Sequence, residues 1–175
     1  MAKRWIAPLA GGRIRLRLLE AADLPMTLGW RNQDHIRRWF FSPEAITPEQ
    51  HLAWFERYQE RDDDLVFIIE ETGTLSRPVG QASIYDIDWD AGRAEFGRLM
   101  IGDAEARGLG LARLATSRLI AEAHGPWDLR EVYLECYAGN ERAIAVYKAC
   151  GFEELGHDGP VLRMASRRKP VAARE

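Results

Sequence analysis

Apolar and polar residues alternate in several short stretches of the chain, a pattern typical of strands that bury one face. The first stretch, IRLRLL at 14–19, begins by alternating aliphatic and basic side chains. Similar patterns predict strands at 65–70, 79–87, 93–101, 131–137, 152–155 and 161–165. Gly97 lies inside the 93–101 strand and marks a candidate bulge, because glycine weakens a regular strand.

Helices are predicted where apolar residues recur at helical spacing behind a capping residue. The clearest case follows Thr47, because Gln50 completes a capping box and Pro48 suits the first helical position. The predicted helices are a short one that Asp23 caps and that runs through Trp30, then 48–61, 108–124, and one that Asn140 caps and Gly151 ends.

The order of these elements favours one α/β domain. Three consecutive strands are followed by a helix, a strand, a helix and two closing strands. Such an order predicts a mixed, mostly antiparallel central sheet with helices on both faces. We expect a single domain over 1–175, with its core at about 14–165 and a mobile tail at 166–175.

Composition narrows the functional classes. The 175 residues are 46% hydrophobic and 29% charged, with a net charge of −3. This balance lacks the basic excess of nucleic-acid-binding proteins, and no apolar run reaches the ~18 residues that cross a bilayer. Cys136 and Cys150 match no metal-ligand spacing and indicate reduced core thiols of a cytoplasmic protein. We therefore expect no nucleic-acid or membrane partner.

The stretch RGLGLA at 107–112 puts two glycines where a helix is predicted to begin. A helix N-terminus carries partial positive charge and unpaired N–H groups, so bare backbone there lets phosphate oxygens approach. The sequence contains no Gly-Lys-Ser/Thr of a P-loop, and its glycine spacing does not match the dinucleotide fingerprint. Two interpretations stay open: a pyrophosphate site, or a tight strand-to-helix turn made by Gly108 and Gly110.

A second segment, 132–156, carries a carboxylate and a phenol. In the 131–137 strand, Glu135 shares a face with Tyr133 and Tyr137. In the following helix, Tyr147 lies on the same apolar stripe as Ala143. Because only a short turn separates the strand from the helix, Glu135 and Tyr147 can face one cavity.

Together the two segments resemble a known family. RGLGLA at 107–112 matches the Arg/Gln-x-x-Gly-x-Gly/Ala signature of the GNAT superfamily of acyl-CoA N-acyltransferases. NERAIAVYKACGF at 140–152 matches its second signature, Asn-x-x-Ala-x-x-x-Tyr-x-x-x-Gly-Phe. The resemblance covers about 14–165 and implies a GNAT fold, acetyl-CoA as co-substrate and no metal.

The resemblance also implies how acetyl-CoA binds. The pyrophosphate would lie on the amides of the 107–112 loop, with Arg107 adding a charged contact, and the pantetheine arm would pair with the preceding strand. A solvated Arg107 and an Asn140 that only caps its helix are the alternatives. The implied cofactor-binding residues are Leu99, Met100, Ile101, Arg107, Gly108, Leu109, Gly110, Leu111, Ala112, Asn140, Ala143 and Tyr147.

Amide formation needs a base for the amine and an acid for the leaving thiolate. Some ribosomal-protein N-acetyltransferases have a similar strand glutamate, so the resemblance favours Glu135 as base, with a pKa raised by its aromatic neighbours. Glu95 in the 93–101 strand is the rival base. The resemblance assigns the acid to Tyr147, near the CoA sulfur. The alternatives are a solvent-facing or ion-paired Glu135 and a packed Tyr147 whose hydroxyl bonds to backbone.

The 30–56 segment matches the part of the superfamily that walls the acceptor pocket. It resembles enzymes that act on nucleotide-linked amino sugars, such as the pseudaminic-acid pathway enzyme, and shares Trp-Arg-Asn with ribosomal-protein N-acetyltransferases. Aromatic faces stack on sugar or base rings and arginines bind phosphates; the alternative is core aromatics beside solvated arginines. His35 and His51 follow no metal pattern. The candidate substrate residues are Trp30, Arg31, Arg38, Trp39, Phe40 and Glu95.

The leading hypothesis is an N-acetyltransferase that moves an acetyl group from acetyl-CoA to a primary amine on an amino sugar or its nucleotide. Acetylation of a protein N-terminus or of an aminoglycoside-like antibiotic is the alternative within the enzyme class. A non-catalytic acyl-CoA-binding sensor is the alternative of another class. We expect a cytoplasmic monomer or homodimer with a small-molecule amine acceptor.

Overall fold

A computed structural model describes residues 3–169 and contains one eight-stranded sheet flanked by helices. The strands are β1 (Leu9–Gly11), β2 (Ile14–Leu18), β3 (Leu65–Glu71), β4 (Arg77–Asp88), β5 (Arg93–Ile101), β6 (Glu131–Tyr137), β7 (Glu153–Asp158) and β8 (Val161–Arg167). The helices are α1 (Leu24–Arg31), α2 (Asp34–Arg37), α3 (Pro48–Gln59), α4 (Leu111–His124) and α5 (Glu141–Ala149), with a 3₁₀ turn at Ala21–Asp23. None of the helices within 3–169 is long and apolar enough to cross a membrane.

The strand order is β1-β2-β3-β4-β5-β6-β8-β7, and every neighbouring pair is antiparallel except β5 and β6. Helices cover both faces. Phe67 of β3 packs in the larger core with Leu119 of α4, whereas Val66 and Ile68 pack with Phe55 of α3 in a second core. The strand pairing confirms the predicted mixed, mostly antiparallel sheet. The alternation along β3 confirms that helices cover both sides of the sheet.

The elements with clear local caps lie where they were predicted. The Thr47 hydroxyl accepts a hydrogen bond from the Gln50 amide at 3.2 Å, and the Gln50 side chain accepts one from the Thr47 amide at 2.9 Å. The Asn140 side chain likewise accepts from the Ala143 amide at 3.3 Å. Gly151, with φ at 89°, follows the end of α5.

Several boundaries differ from prediction. Helix α4 begins at Leu111 and not at residue 108, because Gly108 and Gly110 adopt left-handed φ values of 77° and 74°. Strand β8 continues to Arg167, so the expected tail is wrong for its first two residues, and 170–175 lie outside the described residues. The short elements β1 and α2 were not predicted.

Strand β5 separates from β6 halfway along its length, and this separation opens a gap between the two strands. The two strands pair from Arg93 to Glu95 only. On the other edge of β5, Gly97 pairs with Ser83 and Met100 with Gln81, which leaves a bulge between them. The bulge is therefore next to Gly97 as predicted, although the positive φ, 51°, belongs to Arg98. Beyond Glu95, the β6-facing backbone edge of β5 has no strand partner among the described residues.

Candidate active site

The gap between the separating strands forms a cavity of about 300 Å³, which we call the β5–β6 cleft. Both carboxylates considered as the base, Glu95 and Glu135, line it together with Tyr147. The fold thus brings the three proposed catalytic groups into one cavity. Other predicted residues that line the cleft are Leu99, Met100, Asn140, Ala143, Trp39 and Phe40.

Tyr147 is buried, with 8% of its surface exposed. Its ring packs edge-on against Phe96, with centroids 6.0 Å apart, and against Phe152 at 5.9 Å. Within residues 3–169 its hydroxyl has no hydrogen-bond partner, unlike the backbone-bonded tyrosine considered as an alternative. Burial raises the pKa of Tyr147 well above its ordinary value. The phenol therefore stays protonated and has its proton available for a group in the cleft.

Glu95 is a half-buried carboxylate. The Tyr85 hydroxyl donates a hydrogen bond of 2.7 Å to its Oε1. Burial raises the pKa of Glu95; the hydrogen bond from Tyr85 opposes this shift, and the negative charge of Glu135 adds to it. Desolvation thus makes Glu95 a stronger proton acceptor than a solvated glutamate.

Glu135 lies in a different environment from the one expected. Its side chain is exposed, and Arg163, opposite it on β8, donates from Nη2 at 2.8 Å and from Nε at 3.1 Å. The expected desolvated setting between aromatic rings is wrong, because the register of β6 and β8 places a guanidinium beside the carboxylate. The ion-paired alternative describes this side chain.

The 107–112 loop leads from the end of the cleft into α4. No atom lies within 4 Å of where a Cβ would be at Gly108 or Gly110, so the backbone is open to a ligand. Among residues 3–169, the amides of Gly110, Leu111 and Ala112 have no hydrogen-bond acceptor, as expected of a helix N-terminus. The Arg107 guanidinium donates to the Gln33 side chain at 2.9 Å. This bare, positively polarised backbone fits a diphosphate.

The remaining predicted cofactor residues are Ile101, Leu109 and Leu111, and each has a different environment. Ile101 ends β5 and is half-buried, opposite Gly80 of β4. Leu109 is exposed and its carbonyl accepts a hydrogen bond from Arg13. Leu111 is buried as the first core residue of α4.

A second cavity of about 450 Å³ opens beside the cleft, between α1, α3, the 40–46 segment that precedes α3, and strands β4 and β5. We call it the α1–α3 pocket. Phe40, Arg98 and Met100 line both cavities, so the two spaces are neighbours across these side chains. The pocket's other lining residues are Thr27, Arg31, Ser42, Glu44, Ala45, Ile46, Gln50, His51, Trp54 and Gln81.

Four of the six candidate substrate residues line a cavity, and two do not. Arg31 and Phe40 line the α1–α3 pocket, and Trp39, Phe40 and Glu95 line the cleft. Trp30 lines neither cavity, because its indole is buried with Met100 in a separate small core. Arg38 also lines neither; it is exposed, and its guanidinium lies 5.0 Å from the Trp39 ring centroid.

Sequence reasoning missed several pocket residues. Arg98 follows the predicted bulge glycine, and a charged residue at a bulge is a signal that could have drawn attention. Gln81 is a buried amide inside an apolar strand, a second such signal. His51 was expected in a surface or packing role; it lines the pocket, and its Nε2 lies 3.0 Å from the Thr27 hydroxyl.

The described residues contain no cluster of three or more His, Cys, Asp or Glu side chains arranged to hold a metal ion. Both cysteines are free, but only Cys136 is buried, whereas Cys150 is partly exposed. Burial raises the pKa of the Cys136 thiol, which lines the cleft, to about 11. This thiol is therefore protonated at neutral pH.

Comparison with known proteins agrees with this geometry. The family model of the acetyltransferase (GNAT) domain matches residues 13–153. The spermidine N(1)-acetyltransferase of Vibrio cholerae is 24% identical over 145 residues, which are 83% of this chain and 82% of that protein. An uncharacterized protein of Methanocaldococcus jannaschii is 23% identical over 143 residues, 81% of this chain but 28% of its own length.

Solved structures resemble the fold as well. The V. cholerae spermidine N-acetyltransferase in complex with CoA and spermine superposes with a TM-score of 0.79 at 24% identity, over 90% of this chain and 96% of that one. A domain from M. jannaschii gives a TM-score of 0.76 at 20% identity, over 88% and 97% of the two chains.

The fold and the site together define an acyl-CoA-dependent N-acyltransferase. The chain belongs to the acetyltransferase (GNAT) domain family, as the two sequence signatures indicated. It is an N-acetyltransferase that uses acetyl-CoA as co-substrate. The thioester of acetyl-CoA supplies the acetyl group; the protein's own residues bind it, orient it and move protons.

Proposed function

We propose that the protein acetylates the primary amine of an amino sugar or a nucleotide-linked amino sugar, which it binds in the α1–α3 pocket. The observation that carries the proposal is the contact between the two cavities, which share Phe40, Arg98 and Met100. Acetyl-CoA occupies the β5–β6 cleft, with its diphosphate on the 107–112 loop and its pantetheine along the unpaired edge of β5 at Leu99–Ile101. The acceptor amine enters the cleft from the pocket.

In this proposal Glu95 is the general base. A protonated amine must lose a proton before it can attack the thioester, and a desolvated carboxylate accepts that proton better than a solvated one. Glu95 is half-buried and has a raised pKa, whereas Glu135 is exposed and paired with Arg163. The Tyr85 hydroxyl, bonded to Glu95 at 2.7 Å, holds the carboxylate in position. Glu135 is the second candidate, and substitution distinguishes the two.

Tyr147 is the proposed general acid. Its proton has no protein acceptor within residues 3–169, so it can hydrogen-bond to the sulfur of acetyl-CoA in the cleft. As the carbon–sulfur bond breaks, the hydroxyl protonates the leaving thiolate. Because burial raises the pKa of Tyr147, the hydroxyl carries this proton at neutral pH before the transfer begins.

The character of the pocket supports a sugar-like acceptor over a polyamine. Its wall combines aromatic surface from Phe40 and Trp54 with the side chains of Arg31 and Arg98, and Glu44 is its single carboxylate within residues 3–169. Aromatic rings stack on sugars and arginines bind phosphates. A polyamine, the substrate class named for the V. cholerae relatives, carries several positive charges that Arg31 would repel.

An acceptor screen that follows release of the free CoA thiol tests the proposal. The panel contains glucosamine, a nucleotide-linked amino sugar, spermidine, an aminoglycoside and a peptide with a free N-terminus. We expect the amino sugars to give the highest kcat/KM. Preference for spermidine would favour polyamine acetylation, and preference for the peptide or the aminoglycoside would favour those alternatives. Binding of acetyl-CoA without transfer to any amine would favour the sensor alternative.

A further inference from the structure

Arg31 is a buried guanidinium with unused hydrogen-bonding capacity. The residue ends α1, lines the α1–α3 pocket and exposes 8% of its surface. Its Nη2 donates to the Ser42 carbonyl at 2.5 Å, but its Nη1 is buried and has no hydrogen-bond partner within residues 3–169. The guanidinium carbon also lies 4.0 Å from the Phe40 ring centroid.

No carboxylate balances the charge of Arg31. Within the described residues no carboxylate oxygen lies within 4.0 Å of its guanidinium nitrogens; Glu44, which lines the same pocket, is exposed and raises the pKa of Arg31 less than burial lowers it. Arg98 on the same pocket wall differs, because Asp64 pairs with it at 2.7 Å. Burial lowers the pKa of Arg31, and the positive charge of Arg37 lowers it further.

A buried charge without a partner is costly to the folded state. Such a group persists where a ligand supplies the missing counter-charge. The pocket around Arg31 also presents the Gln81 amide, the His51 ring and the Thr27 hydroxyl. The amide and the imidazole can bind the oxygens of a ligand, and neither adds a negative charge, whereas the Thr27 hydroxyl already donates to the Asp23 carbonyl at 3.1 Å.

We propose that Arg31 binds an anionic group, a phosphate or a carboxylate, on the acceptor amine and thereby determines which amines are acetylated. This proposal rests on the proposed function, in which the acceptor occupies the α1–α3 pocket. It adds that the acceptor carries both an amine that reaches the cleft and an anion that reaches Arg31. The guanidinium of arginine suits such oxyanions.

The test compares matched amines that differ by one anionic group. Glucosamine 6-phosphate is paired with glucosamine, and 4-aminobutyrate with 4-amino-1-butanol, so the two pairs separate phosphate from carboxylate. Wild-type protein should acetylate at least one anionic amine with a kcat/KM about 10- to 100-fold higher than its neutral partner, the range of a charge-assisted hydrogen bond. Arg31→Met should remove that advantage, so that each anionic amine is acetylated no faster than its neutral partner.

The control variant is Arg57→Met. Arg57 is exposed on α3 and lines neither cavity. Arg57→Met removes one positive charge, as Arg31→Met does, and should keep the preference for the anionic amine. Thermal unfolding gives a readout that does not depend on turnover: the anionic amine should raise the midpoint of wild type and of Arg57→Met, but not that of Arg31→Met.

Failure of this inference is distinguishable from failure of the proposed function. If neutral amines are acetylated and an anionic group gives no advantage in either pair, or if Arg31→Met keeps the advantage, Arg31 is not an anion receptor, although the transfer reaction stands. If no amine is acetylated, the change in the unfolding midpoint still shows whether Arg31 binds an anion. A midpoint that rises with the anionic amine only when Arg31 is present supports the binding site, and the absence of such a rise overturns it.

Discussion

At the scale of the residue, the hydroxyl of Tyr147 is the group on which turnover should depend most directly. Tyr147→Phe keeps the ring that packs against Phe96 and Phe152 and removes a hydroxyl that has no protein partner within residues 3–169. We expect kcat to fall about 100-fold or more, because proton transfer to the thiolate loses its donor. The free energy of unfolding should change by less than about 1 kcal/mol. Steady-state kinetics measure kcat, and urea unfolding measures the free energy of unfolding. An unchanged kcat would show that Tyr147 is not the general acid.

The raised pKa of Glu95 predicts a pH dependence. A raised pKa means that the carboxylate keeps its proton to higher pH, so the base is blocked on the acidic side and becomes active as pH rises. In wild type, kcat/KM should therefore rise with pH through a midpoint above the ordinary glutamate value of about 4.3. Glu95→Gln should abolish this rise, which is the acidic limb of the pH profile, and should lower kcat/KM about 100-fold.

Glu135→Gln is the matched control for Glu95→Gln. It removes an exposed carboxylate that lines the same cleft and pairs with Arg163. We expect it to keep the acidic limb of the pH profile. The opposite result, loss of the limb in Glu135→Gln alone, would transfer the role of base to Glu135.

Sequence reasoning identified these residues, but the family resemblance ranked Glu135 above Glu95, the reverse of the order proposed from their environments. The two signatures indicated Tyr147, and the strand patterns indicated both glutamates. The rank depends on partners distant in sequence: Arg163 reaches Glu135 through the register of β6 and β8, and Tyr85 reaches Glu95 through that of β4 and β5. No tight turn connects β6 to β8, so a single sequence carries no information on their register. A short turn does connect β4 to β5, but irregularities shift the register of that pair.

At the scale of the element, the start of α4 is the feature that we propose binds the diphosphate. Gly110 has a φ of 74° and no neighbour within 4 Å of a Cβ position. Gly110→Ala should therefore cost about 1 kcal/mol of stability through backbone strain, with no clash inside the protein. It should also weaken acetyl-CoA binding, because the new methyl group and the altered backbone move the amides away from the phosphates.

Gly159→Ala supplies the control for this loop. Gly159 also has a positive φ, 54°, and open space around it, but it lies in the turn between β7 and β8. The strain cost should match that of Gly110→Ala, while the dissociation constant for acetyl-CoA should stay at the wild-type value. Calorimetric titration and thermal unfolding compare the two variants; equal effects on binding would argue against the loop as the phosphate site.

Whether an element could be predicted depended on how local its determinants are. Helix α3 carries its own start signal in Thr47 and Gln50, and β3 carries its apolar run, so both lie close to prediction. The four-residue helix α2 has no such signal within itself. The three-residue β1 exists because it pairs with β2. The bulge in β5 was indicated by Gly97, but the left-handed residue is Arg98, which the pairing with β4 determines.

At the scale of the whole molecule, the helical layer that walls the α1–α3 pocket meets the sheet at Gly102. This glycine follows β5, and its amide donates to the Val79 carbonyl at 2.9 Å, which fixes its position. A Cβ there would lie 1.9 Å from Cγ of the Trp30 indole. Trp30 therefore packs directly on backbone, one residue before Arg31. The distance between α1 and β5, and with it the width of the pocket, depends on the absence of a side chain at this point.

Gly102→Ala tests this dependence, because the new methyl group must push Trp30 and the end of α1 away from the sheet. We expect a loss of about 1–3 kcal/mol of stability from overpacking and a larger rise in KM for the amine than for acetyl-CoA. Gly29→Ala, on the exposed side of α1 with open space around it, should leave both KM values unchanged and stabilise the helix by up to about 1 kcal/mol. Combining Gly102→Ala with Trp30→Leu should restore part of the lost stability, because the smaller side chain makes room for the methyl group. If Gly102→Ala alone changed neither stability nor the KM for the amine, the contact between Trp30 and Gly102 would not set the width of the pocket.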